Sequence, residues 1–479
     1  MSNILIIAEF IAPVQSIGSL RWTKLGKYLS KNHGHNIYIL TNTKDYDGKC
    51  LGDKQYDRDA ALSADLDHFS GYLQFDTPAI TRPINRLFNL GRKAKRRALL
   101  SPLQAFGEEA LPVDPSHCSK RSKRIHSELA KRALREGRRR ASLCREGHCA
   151  EHFPTAAFER YMRAVAEGEA PSCDLVISTY GPTWPHATAA LIKQSAPSHP
   201  WIADFRDPPR VDFAEPGRYI RSFSCVYASA DLVSLVSRPI EDHLYIGAGQ
   251  AVLDLSNGFD PEDAKGRVRS RQSKFRLVYT GTLYSHAYMQ QNLSPAFDAI
   301  EQLQAAGRID IEDIEICYAG SAPDIFQAQV EHYPNLVPRV KNFGLLSRRE
   351  AMDLQDTASV LLAATWNTEI DRGVTTGKIW EYLLSGAPIL GTCTGDVPNP
   401  YLGEVVDESG AGAMVEEVRL EATLPRAVDF LAALYGEWKQ TGTTTAKIDR
   451  AYVDQFSYPV LAERLNNVIE GLLDSAPRY

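Results

Sequence analysis

The apolar positions of this chain fall mostly into short, near-continuous runs separated by helical patterns. In the first half, NILIIA (3–8), NIYILT (36–41), DLVIST (174–179), WIADF (201–205), DLVSLV (231–236) and VLDLS (252–256) read as strands. Runs that are apolar on both faces suit parallel strands covered by helices on either side. Helical periodicity over 19–32 and 186–195 lies between them. The first half therefore predicts a doubly wound α/β domain.

The second half repeats the theme with FRLVYTG (275–281), IEICYAG (314–320), RVKNFG (339–344), ASVLLAA (358–364) and PILG (388–391), interleaved with helices over 294–306, 347–355 and 378–385. The polar stretch PEDAKGRVRSRQSK near 262–274 reads as a linker. These patterns predict one Rossmann-like domain over 1–265, a second over 274–457, and a C-terminal helix in 458–479 that packs back on the first. A length of 479 residues agrees, since domains of about 200 residues are common.

Between about 80 and 170 the alternation fails. RKAKRR and SKRSKRIHSELAKRALREGRRR predict a basic helical insertion, about 85–170, with Ile125, Leu129, Ala133 and Leu134 on one stripe. Residues 92–146 hold 16 Lys/Arg against 6 Asp/Glu, which leaves 38 against 53 in the rest of the chain. The net charge of −5 thus conceals a basic segment in an acidic body. Such a face is either a solvated helix surface or one that meets anionic membrane headgroups. No aromatic stacking positions accompany it, so nucleic acid is not an expected partner.

The N-terminal MSNILIIAEFIAP has no basic n-region and its apolar run ends at Pro13, which predicts a buried strand and not an export signal. No run reaches the roughly 18 apolar residues of a membrane span. The expectation is a cytoplasmic protein, peripheral at most to the inner face of a membrane. Eight cysteines in such a chain do not form a disulfide framework. The His117, Cys118, Cys144, His148, Cys149 and His152 cluster lacks the paired spacings of a zinc site, so no metal is expected.

Candidate chemistry sits where strands run into glycine. Gly18-Ser19 follows the first strand and opens a helix, but the stretch is not G-x-G-x-x-G, and no acid ends NIYILTN in the ribose-binding position. A nicotinamide-type site and an ATPase phosphate loop are both missing. YTGTLYS (279–285), YAGSA (318–322), NFGLLS (342–347) and TTGKIWEY (375–382) each place Gly or hydroxyl residues after a strand or at a helix start, and are expected to line a polar cleft facing the first domain. Gly281 and Thr282 belong to the first of these.

The last is the most telling. Thr375, Thr376, Gly377 and Lys378 would offer unpaired amides to a diphosphate at a helix N-terminus, with Lys378 as the cation. Glu381, almost one turn on and on the same side, would accept hydrogen bonds from both hydroxyls of a ribose. The alternative is a plain first-turn glutamate beside a solvated lysine. In the first half, STYGPTWPHATAALI puts His186 at a helix start, and WIADFRDPPR puts Asp204, Arg206 and Asp207 at a strand end. His186 either meets a sugar hydroxyl or reacting phosphate oxygen, or caps its helix; Arg206 either stabilises a departing diphosphate or forms a structural ion pair.

Together these residues resemble family 4 of the nucleotide-sugar glycosyltransferases. The resemblance runs through Pro13, Gly18 and Arg21 in P-x4-G-x2-R, His35, WIADFRDP (201–208), LVSRPIEDHL (235–244), LSNGFDPED (255–263), YTGTL (279–283) and GKIWEYLLSGAPIL (377–390). It covers nearly all of the chain outside 85–170. It implies the GT-B fold, two Rossmann-like domains facing a cleft, and transfer with retention that needs no metal and no cofactor beyond the nucleoside-diphosphate sugar donor. In that family Glu381 would hold the donor ribose, Thr376, Gly377 and Lys378 its diphosphate, His186 the transferred sugar, and Gly18 would lie near the diphosphate. Gly373 stands where the family has the first of its paired glutamates, leaving Asp371 or Glu369 to take that place.

The resulting expectation is a glycosyltransferase whose acceptor is a glycan, glycolipid or small molecule, in cell-surface polysaccharide or glycolipid synthesis or secondary-metabolite glycosylation. A nucleotide-sugar 2-epimerase on the same fold, and a non-catalytic membrane-binding scaffold, stay open.

Overall fold

The computed structural model describes residues 1–14, 16–42, 60–76, 147–209, 224–247, 250–286 and 289–475. The basic segment 92–146, read as a solvated helix surface or one that meets anionic headgroups, lies outside the described residues, as do the side chains of the His/Cys cluster. Among the described residues, no helix is long and apolar enough to cross a membrane. The chain divides into two compact units, Met1–Leu235 with Leu244–Leu253 and Asn466–Tyr479, and Val236–His243 with Asp254–Leu465.

The first unit runs β1 (Asn3–Ile7), α1 (Ile17–His33), β2 (Asn36–Asn42), α2 (Ala60–Ala64), β3 (Gly71–Phe75), α3 (Gly147–Ala166), β4 (Leu175–Thr179), α4 (Trp184–Ser195), β5 (Trp201–Phe205), β6 (Leu232–Leu235) and β7 (Ala251–Asp254). Its sheet has the order β3-β2-β1-β4-β5-β6-β7, with parallel pairing from β3 through β6. The order reverses between β1 and β4, so the loops leaving these two strands diverge at their carboxyl ends.

Of the span 85–170 expected as an insertion, residues 85–146 lie outside the described residues. Residues 147–166 form α3, which crosses over from β3 to β4 and packs on β2, β3 and α4. Ala157, Tyr161 and Ala164 make its buried stripe, at the spacing of a helix with one inward face. Pro154 inside the helix and the basic residues before it mask that periodicity in the sequence. The short strand β3 was likewise not foreseen, because GYLQF offers only two fully buried positions.

Asp204, at the end of β5, is fully buried and takes five hydrogen bonds. Arg21 on α1 donates from Nε at 3.1 Å and Nη2 at 2.7 Å, Trp22 Nε1 at 2.7 Å, Thr179 Oγ1 at 3.0 Å and Ser234 Oγ at 2.8 Å. Burial alone would raise the acid's pKa, but the charge of Arg21 and the hydrogen bonds from Arg21, Ser234 and Trp22 hold it below the usual carboxylate range. One side chain thus ties β4, β5, β6 and α1 together.

The second unit runs β8 (Phe275–Thr280), a short antiparallel hairpin of β9 (Ser285–His286) and β10 (Met289–Gln290), α5 (Ser294–Ala305), β11 (Ile314–Ala319), α6 (Pro323–Val330), β12 (Val340–Asn342), α7 (Arg348–Asp356), β13 (Val360–Trp366), α8 (Lys378–Ser385), β14 (Ile389–Thr394), α9 (Tyr401–Glu408), β15 (Gly412–Glu416), α10 (Leu420–Thr441), α11 (Arg450–Asp454) and α12 (Tyr458–Ser475). Its sheet is parallel throughout, in the order β12-β11-β8-β13-β14-β15, and reverses between β8 and β13. Every residue of β13 is buried, as a central parallel strand requires. Both units are doubly wound, as the run patterns predict.

Local chemistry sets the helix ends here. Ser347 and Glu350 form a capping box before α7, and Gly386 closes α8 with φ +73°. In the polar stretch after 262, Arg267 is buried against Asp356 at 2.7 Å, and Arg269 donates to the carbonyls of Ala358 and Thr444. The last helix, α12, begins in the second unit; its later residue Asn466 belongs to the first, where Oδ1 lies 2.7 Å from His35 Nε2.

Replacing Arg21 by Met leaves a buried, charged Asp204 without its counterion. Such half-broken pairs cost roughly 3–5 kcal/mol, so denaturant titration of Arg21→Met is expected to show a loss of that order. A loss below about 1 kcal/mol would contradict the role given to this pair.

Candidate functional site

The β8–β13 reversal is where an open α/β sheet leaves room for a ligand. The end of β8 is fastened to two helices: Thr280 N and Oγ1 lie 3.0 and 3.2 Å from Tyr382 OH on α8, and Gln355 Nε2 on α7 donates to Thr280 Oγ1 at 3.1 Å. Gly281 follows with φ +111°, and its amide donates to Ala319 O at 2.7 Å. A Cβ at Gly281 would stand 2.8 Å from Lys378 Nζ. Only glycine therefore lets the lysine lie under this loop.

Lys378 opens α8 and is 6% exposed. Its Nζ sits 3.7 Å above the ring of Tyr279 and has no hydrogen-bond partner. A cation over an aromatic face is attracted by about 0.5–2 kcal/mol, which does not replace the hydration of a buried ammonium. Burial pushes its pKa down from 10.5 to about 7, with Glu381 opposing the shift. Thr375 Oγ1 and Thr376 Oγ1 are also buried with no partner. No side chain caps α8 at Gly377, and the amides of Gly377 and Lys378 find no acceptor among the described residues. Lys378 Nζ thus lies unsatisfied beside the Gly281 turn, and two more unsatisfied hydroxyls stand in the chain just ahead of a bare helix start. The neighbouring Thr282 is spent on Ser321, its Oγ1 lying 2.8 Å from Ser321 Oγ.

Glu381 is not a plain solvated carboxylate. Its Oε1 accepts from Arg348 Nε at 2.8 Å, and Arg348 Nη2 donates to Asp263 Oδ2 at 2.7 Å. Gly373, eight residues before Glu381 in the loop after β13, has φ +76°, and its carbonyl accepts from Ser237 Oγ at 2.6 Å. A Cβ there would lie 2.7 Å from Ser237 Oγ and 3.0 Å from Ile240 N. Of the residues expected to stand in for a glutamate at this position, Asp371 is buried and accepts from Trp366 Nε1 at 3.0 Å, while Glu369 pairs with Arg372.

In the first unit, Gly18 and Arg206 are brought together. The Arg206 guanidinium donates to the carbonyls of Tyr180 and Gly181, each at 3.0 Å, and lies over the ring of Phe10 at 5.2 Å. A Cβ at Gly18 would fall 1.7 Å from its Nη1. His186 does not join them. Its ring is fully buried among Phe205, Trp201 and Tyr180, with Nδ1 2.7 Å from Ser178 Oγ. Burial drives its pKa down to about 3 against the pull of Asp204, so it is neutral at ordinary pH.

Two features escape sequence reasoning. Arg348 is indistinguishable from Arg349 beside it, and Tyr382 reads only as an apolar-face residue of α8.

No protein-family model matches the chain, and no curated protein matches it. Solved structures do. Sucrose-phosphate synthase from Thermosynechococcus elongatus aligns over 99% of this chain and 100% of its own, with TM-score 0.57 and 12% identity. The N-terminal domain of Candida albicans trehalose-6-phosphate phosphatase aligns over 98% and 97%, with TM-score 0.55 and 11% identity. Anabaena HepE, in complex with UDP and glucose, aligns over 98% and 100%, with TM-score 0.51 and 12% identity. At such identities the likeness is one of fold, the paired Rossmann-like domains of GT-B proteins.

Two outcomes follow from this geometry. Gly373→Glu should destabilise the second unit by about 1–3 kcal/mol, the range for a residue forced into a disfavoured φ, as read by thermal unfolding; unchanged stability would contradict the steric account. For Lys378, the unfolded chain binds a proton between pH 7 and 10.5 that the folded chain does not, so its contribution to stability grows as pH rises through that window. Lys378→Met should raise the unfolding midpoint at pH 7, by about 2–4 °C per kcal/mol recovered, and lessen the gain between pH 7 and 9. An unaltered pH profile would contradict it.

Proposed function

We propose that the chain is a glycosyltransferase that moves a sugar from a nucleoside-diphosphate donor to an acceptor. The observation that carries this reading is that Lys378 Nζ, buried beside the Gly281 turn, and the buried hydroxyls of Thr375 and Thr376 just ahead of it in the chain have no partner among the described residues, at the start of α8. A diphosphate supplies what each lacks: negative charge for the ammonium and acceptors for the hydroxyls and the open amides. Each such charge-assisted bond is worth about 1.5–3 kcal/mol. Glu381, one turn on, presents a carboxylate oxygen to the ribose hydroxyls.

The shared fold lends support, since HepE was solved with UDP and glucose. The residues that resemble family 4 add transfer with retention and no metal. Catalysis in this reading is mainly orientation of the donor and stabilisation of the departing diphosphate by Lys378 and the helix amides. Recognition of the acceptor would fall to the first unit, where Arg206 lies against Gly18 at the strand ends. His186 there acts by shaping the core beneath them.

Thermal unfolding against UDP, GDP, ADP and dTDP tests this. A ligand present at 100 times its dissociation constant adds about 2.7 kcal/mol to the native state, so one nucleotide is expected to raise the midpoint by several degrees. The shift should shrink sharply in Glu381→Ala and in Lys378→Met. No shift with any nucleotide, or a shift that survives both substitutions, would overturn the reading.

A further inference from the structure

Arg348 sits closest to the proposed ribose contact, and neither its neighbours in sequence nor any motif singles it out. It opens α7 behind a capping box, next to an exposed Arg349 that pairs with Asp353 on its own helix. Arg348 turns inward instead, with its side chain 16% exposed. One edge of its guanidinium donates to Glu381 Oε1 on α8, the other to Asp263 Oδ2 in the short turn Pro261–Ala264. The guanidinium is a rigid planar fork. Two acceptors on separate segments therefore hold it in one orientation.

The same corner is gripped a second time. Arg267 is bound to Asp356 on α7 and also donates from Nη1 to the Glu381 carbonyl at 3.3 Å. Main chain and side chain of Glu381 are both tethered, while α7 is itself pinned to the end of β8 through Gln355. Arg348 occupies Oε1 and leaves Oε2 with no donor among the described residues. A first-turn glutamate without such a tether would sample several rotamers and lose that freedom on binding.

We propose that Arg348 is a positioning residue for ribose recognition: anchored by Asp263, it aims the Glu381 carboxylate at the vicinal hydroxyls of a nucleoside diphosphate seated at the start of α8. The inference rests on the donor reading above. Arg348 itself touches no ligand atom; it acts through Glu381, and its loss should erase discrimination between ribose and a sugar lacking those hydroxyls. A merely structural Arg348 would lower affinity for both forms alike.

Calorimetric titration with UDP, GDP and ADP, each beside its 2′,3′-dideoxy counterpart, separates these outcomes. For the nucleotide that binds, the wild-type protein should prefer the ribose form by about tenfold or more, as hydrogen bonds to a charged acceptor imply. Arg348→Gln should bring the preference to within about threefold, leaving affinity for the dideoxy form within about twofold, and Arg348→Lys should restore part of it. Asp263→Asn should shrink the preference in the same direction and decides the matter if Arg348→Gln does not fold. A preference that persists in Asp263→Asn and in folded Arg348→Gln, yet vanishes in Glu381→Ala, would overturn the inference. So would an equal loss for both forms. If no nucleotide binds the wild-type protein, the donor reading falls, and the inference with it.

Discussion

A buried ammonium without an anion is the constraint on which the second unit turns. Lys378 lies over Tyr279 under a glycine that has no room for a Cβ, and nothing among the described residues accepts its protons. Desolvating such a charge is unfavourable, and proteins otherwise resolve it by pairing or neutralising the group. Glu381, whose charge opposes the fall in the lysine's pKa, is already engaged by Arg348. The elements around the lysine are nonetheless rigidly joined: Tyr382 and Gln355 lock β8 to α8 and α7. The unit is therefore organised to hold an unsatisfied positive group in place, which makes sense if an anion completes it.

The first unit shows the opposite arrangement with similar residue types. Asp204 and Arg21 are just as buried, but every donor around the carboxylate is aimed at it, and four elements converge there. A satisfied network of this kind specifies the fold and offers nothing to a ligand. His186 lies in the same unit, its ring closed in by aromatics and Nδ1 facing Ser178 Oγ.

Much of the architecture is readable from the chain because parallel strands must be apolar on both faces. NILII, WIADF and VLLAATW announce themselves in this way, and the helix 378–385 is bounded by Gly377 and Gly386. Where that signal weakens, reading fails: β3 and β15 are short and begin with glycine. The candidate site is legible because Thr375, Thr376, Gly377 and Lys378 stand directly ahead of a helix pattern. The burial of His186, the inward turn of Arg348 and the positive φ of Gly373 are not legible. Each depends on residues far away in the chain, namely Phe205, Asp263 and Ser237.

The central claim is that the start of α8 receives a diphosphate. The most direct test is a crystal structure of the protein grown with a nucleoside diphosphate. The account predicts phosphate oxygens within hydrogen-bonding distance of Lys378 Nζ and of the Thr375 or Thr376 hydroxyl, with the ribose at Glu381. A nucleotide bound elsewhere, with those three atoms still unpartnered, would contradict it.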